Sequence, residues 1–134
     1  RSFIAKNSLK FDENLKRYAY AEDLDFTHRL YKLASADAKV CRIFPEIIVK
    51  HNISKEYRIP SRLAVFQLIC HRRYLSHKLF KSVGSSISCL WSDFGFVIIT
   101  LLKRENWRDY LAAIRHACRY SKDIKNGNFH FDNV

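Results

Sequence analysis

Apolar positions along the chain fall into blocks of different period, and each block predicts a different element. Between Ala21 and Ala34 the apolar residues Phe26, Leu30, Leu33 and Ala34 recur at i, i+4, i+7 and i+8, the stripe of an amphipathic helix. Asp23 and Asp25 fall in its first turn, where the positive end of the helix dipole favours carboxylates. Residues 38–44, "AKVCRIF", alternate with period two and are rich in β-formers, so a strand is expected there. After Pro45, "EIIVKH" reads as a second short strand, and residues 2–5 as a strand remnant. Residues 52–59 read as a polar loop. Pro60 suits the first turn of the next helix and holds Ile59 extended before it.

That helix spans about 61–82. It is basic on one face through Arg62, Arg72, Arg73, His77, Lys78 and Lys81, and apolar over much of the rest. "GSSIS" at 84–88 reads as a linker. The stretch "CLWSDFGFVIITLLK" is then apolar for about fifteen residues, but Ser92 and Asp93 interrupt it. A bilayer span needs about twenty residues, so a buried or interfacial helix is expected. A last amphipathic helix is predicted at 106–121, carrying Trp107, Tyr110, Leu111, Ile114 and Cys118, and "KDIKNGNFHFDNV" reads as a loose tail.

Composition narrows this picture. A chain of 134 residues fits one domain with a real core, and 48% hydrophobic with 14% aromatic residues excludes a disordered chain. Three Gly and two Pro leave little room for a turn-rich β-sandwich or a glycine-rich phosphate loop. The 24 Lys and Arg against 13 Asp and Glu give a formal charge of +11, which favours nucleic acid, anionic lipid or a phosphorylated ligand. Cys41, Cys70, Cys89 and Cys118 are widely spaced without C-x-x-C pairing, as in reduced thiols of a cytosolic chain. The chain opens at Arg1 and contains no Met, so it is expected to be a piece of a longer protein.

The candidate chemistry gathers in "FDENLKRYAYAEDLDFTHRL", residues 11–30, where acids crowd in an otherwise basic chain. Three readings stand. "DLD" at 23–25 matches a D-x-D that holds a divalent cation on a nucleotide diphosphate. Acids at a helix start also act as caps, each stabilising by about 0.3–1 kcal/mol. A catalytic base is the third reading, because a helix start does not exclude catalysis. The histidines and cysteines lack the paired spacing that closes a tetrahedral zinc site. The basic helix "HRRYLSHKLFK" suits phosphates of nucleic acid or, better, anionic lipid, since the apolar segment Trp91 to Leu102 follows it. Arg72 and Arg73 are the charges expected to drive that lipid contact.

The order of the pieces is more specific than any one of them. "FDENL", "EDLDFTHRL", two short strands ending in "VKH", then "SKEYRIPSR" and "HRRYLSHK" together resemble family 2 glycosyltransferases over residues 8–82. The likeness is to the C-terminal part of their GT-A catalytic domain and the helices after it. It implies an α+β, mostly helical chain: residues 1–83 an incomplete, acceptor-side portion of a GT-A α/β domain, and 84–134 a helical extension. It also implies inverting transfer of a sugar from a nucleoside-diphosphate donor to a hydroxyl of a glycan or lipid-linked acceptor.

Matched to the family motif, Asp23 is the base and Glu22 its neighbour, while Asp25 is structural or orients Arg29. A base must reach the attacking hydroxyl, so Asp23 is expected to face a cleft. His51 matches a ligand of a divalent cation, Mg or Mn, and Arg58 and Arg62 reach the donor diphosphate. Phe11, Asp12 and Glu13 shape the acceptor-side loop. The family's nucleotide-binding half is missing, so this piece alone is expected to be inactive. The expected location is the cytoplasm, peripheral to the inner face of the cell membrane. The rival readings are a non-enzymatic basic helical module that binds anionic membrane or nucleic acid, and a degenerate transferase remnant that serves as an interaction domain.

Overall fold

The computed structural model describes residues 2–15, 21–42, 44–48 and 61–133, and among these the chain is mostly helical with no strand. Helix α1 (Phe3–Lys6) is a single turn, and α2 runs Glu22–Ala36. The long helices are α3 (Ser61–Phe80) and α4 (Val83–Leu102), followed by α5 (Trp107–Arg119), the short α6 (Ser121–Lys125) and a 3-10 turn at Phe131–Asn133.

Helix α3 is the axis on which the others are arranged. A surface helix buries one stripe, but α3 buries Phe66, Gln67, Ile69, Cys70, His71, Tyr74, Leu75 and Ser76, which point to more than one side. Helices α4 and α5 pack on it and on each other, and α6 also lies against it. The core joins Phe66, Ile69, Cys70, Tyr74 and Leu75 of α3 to Ala113 and Ala117 of α5, Ile124 of α6, and Leu15, Phe129 and Phe131. Burying Ile69 and Ile124 fully stabilises the fold by about 1.5–3 kcal/mol each. Helix α2 meets the C-terminal end of α3, where His28 packs edge-on against Phe80 at 5.3 Å.

Five sequence expectations are corrected. Residues 3–6 form a helical turn, not a strand remnant, because the Ser2 hydroxyl caps it by accepting from the Ala5 amide at 3.3 Å. The strand expected at 38–44 is not formed by its described residues. Ala38 takes a positive φ of 54°, and the Lys39 amide returns to the Ala34 carbonyl, closing off α2. Of "EIIVKH", the described part turns back on itself, the Ile47 amide donating to the Phe44 carbonyl, and residues 49–51 lie outside the described set. Period-two alternation makes a strand only when a neighbour takes the ladder hydrogen bonds. Here Val40, Phe44, Ile47 and Ile48 all remain exposed.

"GSSIS" is not a linker but the opening of α4. Ser82 caps this helix, its Oγ accepting from the Ser85 amide at 3.0 Å. The Ser85 and Ser86 hydroxyls donate back to the Ser82 carbonyl, so the small polar residues are satisfied within the helix. The tail is not loose either. Phe129 lies edge-on to His71 at 4.7 Å and to Tyr74 at 5.6 Å, and His116 Nε2 is 2.8 Å from the Phe129 carbonyl.

Candidate functional site

The structure divides the acidic stretch into two groups with different chemistry. Asp12 and Asp25 form the first, drawn together by one lysine of α3. Lys78 Nζ donates to Asp12 Oδ2 at 2.6 Å and sits 2.7 Å from Asp25 Oδ1. The Tyr74 hydroxyl donates to the same Asp12 oxygen at 2.6 Å, and the Asn14 amide donates to Asp12 Oδ1. Asp25 is fully buried and accepts from Arg29 Nε and Nη2 at 3.0 and 2.7 Å. Arg29 also donates to the Lys10 carbonyl at 2.6 Å, tying the start of the F-D-E loop to α2. Two carboxylates thus face two cations, the balance a buried charge cluster needs.

Burial acts to raise the Asp12 carboxyl, but hydrogen bonds from Lys78, Tyr74 and the Asn14 backbone outweigh it and hold it at about 2. Burial, with the hydrogen bond to Asp12, pushes the Tyr74 phenol up to about 12. The loop, α2 and α3 are therefore fastened at one point. Asp25 pairs with Arg29 within α2. Phe11 adds a stacked contact with Phe26, ring centroids 4.6 Å apart.

Glu22 and Asp23 form the second group, at the N-terminus of α2. The residue before the helix, Ala21, is left-handed (φ 65°) and offers no side-chain cap. Asp23 partly fills that role, its Oδ1 accepting from the Leu24 amide at 2.9 Å. Glu22 is half-buried and Asp23 exposed. Among the described residues neither carboxylate enters an ion pair. An apolar cleft of about 320 Å³ opens between α2, α3 and α4, lined by Leu24, His28, Leu68, Leu79, Phe80 and Cys89 among others. Leu24 lines this cleft, whereas Asp23 beside it does not.

Not all of the predicted site residues come together. His51 and Arg58 lie outside the described residues. Arg62 sits in the first turn of α3, while Lys78 lies near its end. At 1.5 Å per residue, the sixteen positions between them span about 24 Å, so Arg62 is held away from the acidic end. It lines a different surface cleft with Arg115, Arg119, His116 and Tyr120, and its guanidinium lies 5.7 Å from the Phe66 ring centroid. The diphosphate role expected for Arg62 is shared with His51 and Arg58, which lie outside the described residues. The described residues do not fit a divalent cation. They hold no group of three His, Cys, Asp or Glu placed to ligate one, and Lys78 and Arg29 already occupy Asp12 and Asp25.

A second buried carboxylate escaped the sequence reading. Asp93 of α4 is 1% exposed and accepts from Arg73 Nε and Nη2 at 3.0 and 2.7 Å, with Arg72 paired to its other oxygen. Arg72 also donates to Ser92 Oγ at 2.8 Å, and burial lowers its guanidinium from the ordinary value. These two arginines were expected to form an outward basic face. They turn inward instead, because a lone acid in an apolar helix must find a cation when it is buried. That acid was the available signal.

Compared with known proteins, the chain matches no family model, no curated protein and no solved structure.

Proposed function

We propose that this chain is the acceptor-side portion of an inverting sugar transferase of the family 2 type, from the C-terminal part of a GT-A domain. The observation that carries the reading is the different use of neighbouring carboxylates. Asp12 and Asp25 are consumed in the Lys78 cluster, which fixes the F-D-E loop against α2 and α3. Glu22 and Asp23 are left at the start of the same helix without an ion pair among the described residues. A rigid mount under a carboxylate outside any ion pair among the described residues suits a general base. The exposed Val40, Phe44, Ile47 and Ile48 add support, since uncovered apolar side chains outside the helices are what a segment parted from its packing partner would present.

In this reading an Asp23 carboxylate oxygen takes the proton of the acceptor hydroxyl as the hydroxyl oxygen attacks the anomeric carbon. The bond from the anomeric carbon to the diphosphate oxygen breaks, the nucleoside diphosphate leaves, and the configuration inverts. Glu22 lies beside the base, and Asp25 holds it in place through Arg29 and Lys78.

The test is release of nucleoside diphosphate from a panel of nucleotide sugars by the parent protein with its upstream segment. Loss of the base contributes about 10²–10⁴-fold in rate, so Asp23→Asn is expected to fall by that order. The 134-residue chain alone is expected to release none. Unimpaired transfer by Asp23→Asn, or turnover by the short chain, sinks the proposal.

A further inference from the structure

Helix α4 is long and apolar enough to cross a membrane by length and composition, yet little of it is buried in the fold. Val83, Ile87, Leu90, Trp91, Phe94, Ile98, Leu101 and Leu102 are all exposed, Trp91 by 76% and Leu102 by 78%. At 100° per residue these eight fall within an arc of about 120°, with exposed Ile99 about 60° beyond its edge, so they form one stripe roughly 30 Å long. The opposite face carries Asp93, clasped by Arg72 and Arg73, and Phe96, stacked on Tyr110 at 5.7 Å. The helix therefore has a packed side and an uncovered side.

Charge indicates what covers it. Lys81 precedes the stripe, and Lys103 and Arg104 follow it directly; all three are exposed. Between residues 81 and 104 the one acid is Asp93, and it is buried; exposed Glu105 follows, leaving the flanks with a net of two positive charges from Lys81, Lys103 and Arg104. A second copy laid along this stripe, parallel or antiparallel, sets these cations against one another in a chain already carrying +11. An anionic bilayer matches both features, taking the apolar stripe into the acyl boundary and the flanking cations at its headgroups.

We infer that α4 lies in the plane of an anionic membrane surface, embedded along its exposed stripe, and does not cross it. Spanning would carry its partners in as well. Asp93 is paired to two arginines of α3, and α5 brings Arg108, Asp109, Arg115 and Arg119. In-plane seating leaves all of these contacts intact. This inference stands independently of the sugar-transfer reading.

A Trp107→Phe chain leaves Trp91 as the sole tryptophan. With vesicles of phosphatidylcholine and phosphatidylglycerol, Trp91 emission is expected to shift to the blue and iodide quenching to fall. Phosphatidylcholine alone is expected to give a weaker response, and added salt to reverse it. Removing Lys103 and Arg104 (both to Gln) is expected to weaken binding about fivefold per charge. Phe94→Glu, at an exposed position, is expected to weaken it about tenfold or more while leaving the circular dichroism unchanged. For orientation, single tryptophans at Val83→Trp, Trp91 and Leu102→Trp are read with brominated lipids at different depths. Equal shallow depths support the inference, whereas a centre deeper than both ends means a span and overturns it. Trp91 staying open to quencher on anionic vesicles also overturns it. So does its protection without lipid alongside a doubled mass in sedimentation, which assigns the stripe to a second copy.

Discussion

Lys78 serves two carboxylates at once, and that makes it the residue on which the acidic end depends. Lys78→Met leaves Asp12 with only Tyr74 and Asn14 and strips Asp25 of one cation. Breaking a buried pair from one side costs about 3–5 kcal/mol, so a loss of about 3 kcal/mol in urea unfolding is expected. A change under 1 kcal/mol would show that the cluster does not hold the fold. Asp12 also sets a pH window. Its folded value of about 2 lies below the ordinary 3.8, so its contribution is present above about pH 4 and is lost as pH falls through 2. That contribution is on the order of 2 kcal/mol, and Asp12→Asn is expected to flatten stability between those limits. An acid limb as steep as in the parent would contradict it. The pairing of Asp25 was legible because it stands four residues before Arg29 on one helix, within reach of its guanidinium. The bridge from Asp12 to Asp25 was not, since no sequence period links positions 12, 25 and 78.

Elements with strong helical period were legible in type and to within a few residues: α2, α3 and α5 stand close to where the apolar spacing puts them. The failures share a cause. Composition alone marks serine-rich "GSSIS" and the tail as polar, yet their structure is decided by a cap at Ser82 and by tertiary contacts of Phe129 and Phe131. The tail turns at Gly127, where φ is +84° and a Cβ would meet Asn14 Cγ at 2.7 Å. Gly127→Ala is therefore expected to destabilise by about 1–2 kcal/mol or more, and Phe129→Ala by about 3–5 kcal/mol. Thermal or urea unfolding checks both. A Phe129→Ala chain as stable as the parent would mean that the tail merely rests on α3.

At the scale of the whole molecule, the four cysteines report how the chain is closed. Cys70 lies in the core, where burial pushes its thiol up to about 12, while Cys41 and Cys118 are exposed. Maleimide at pH 7 is expected to label Cys41 and Cys118 in the native protein and to reach Cys70 only after unfolding. Early modification of Cys70 would argue against the packed core. The same closure gives Asp93 a consequence that begins before folding ends. It is the eleventh of the twenty residues of α4, close to the middle of a segment otherwise apolar enough to span. An acid at that depth disfavours insertion from the translocation channel by about 3 kcal/mol. One carboxylate, paired with Arg72 and Arg73 in the folded chain, is thus expected to disfavour insertion of α4 as a separate segment. Asp93→Leu is expected to send α4 across microsomal membranes, read by glycosylation of acceptor sites placed at its two ends. Equal glycosylation of variant and parent would remove that role. Glycosylation at both ends in the variant alone would make biosynthetic routing and tertiary packing rest on the same side chain.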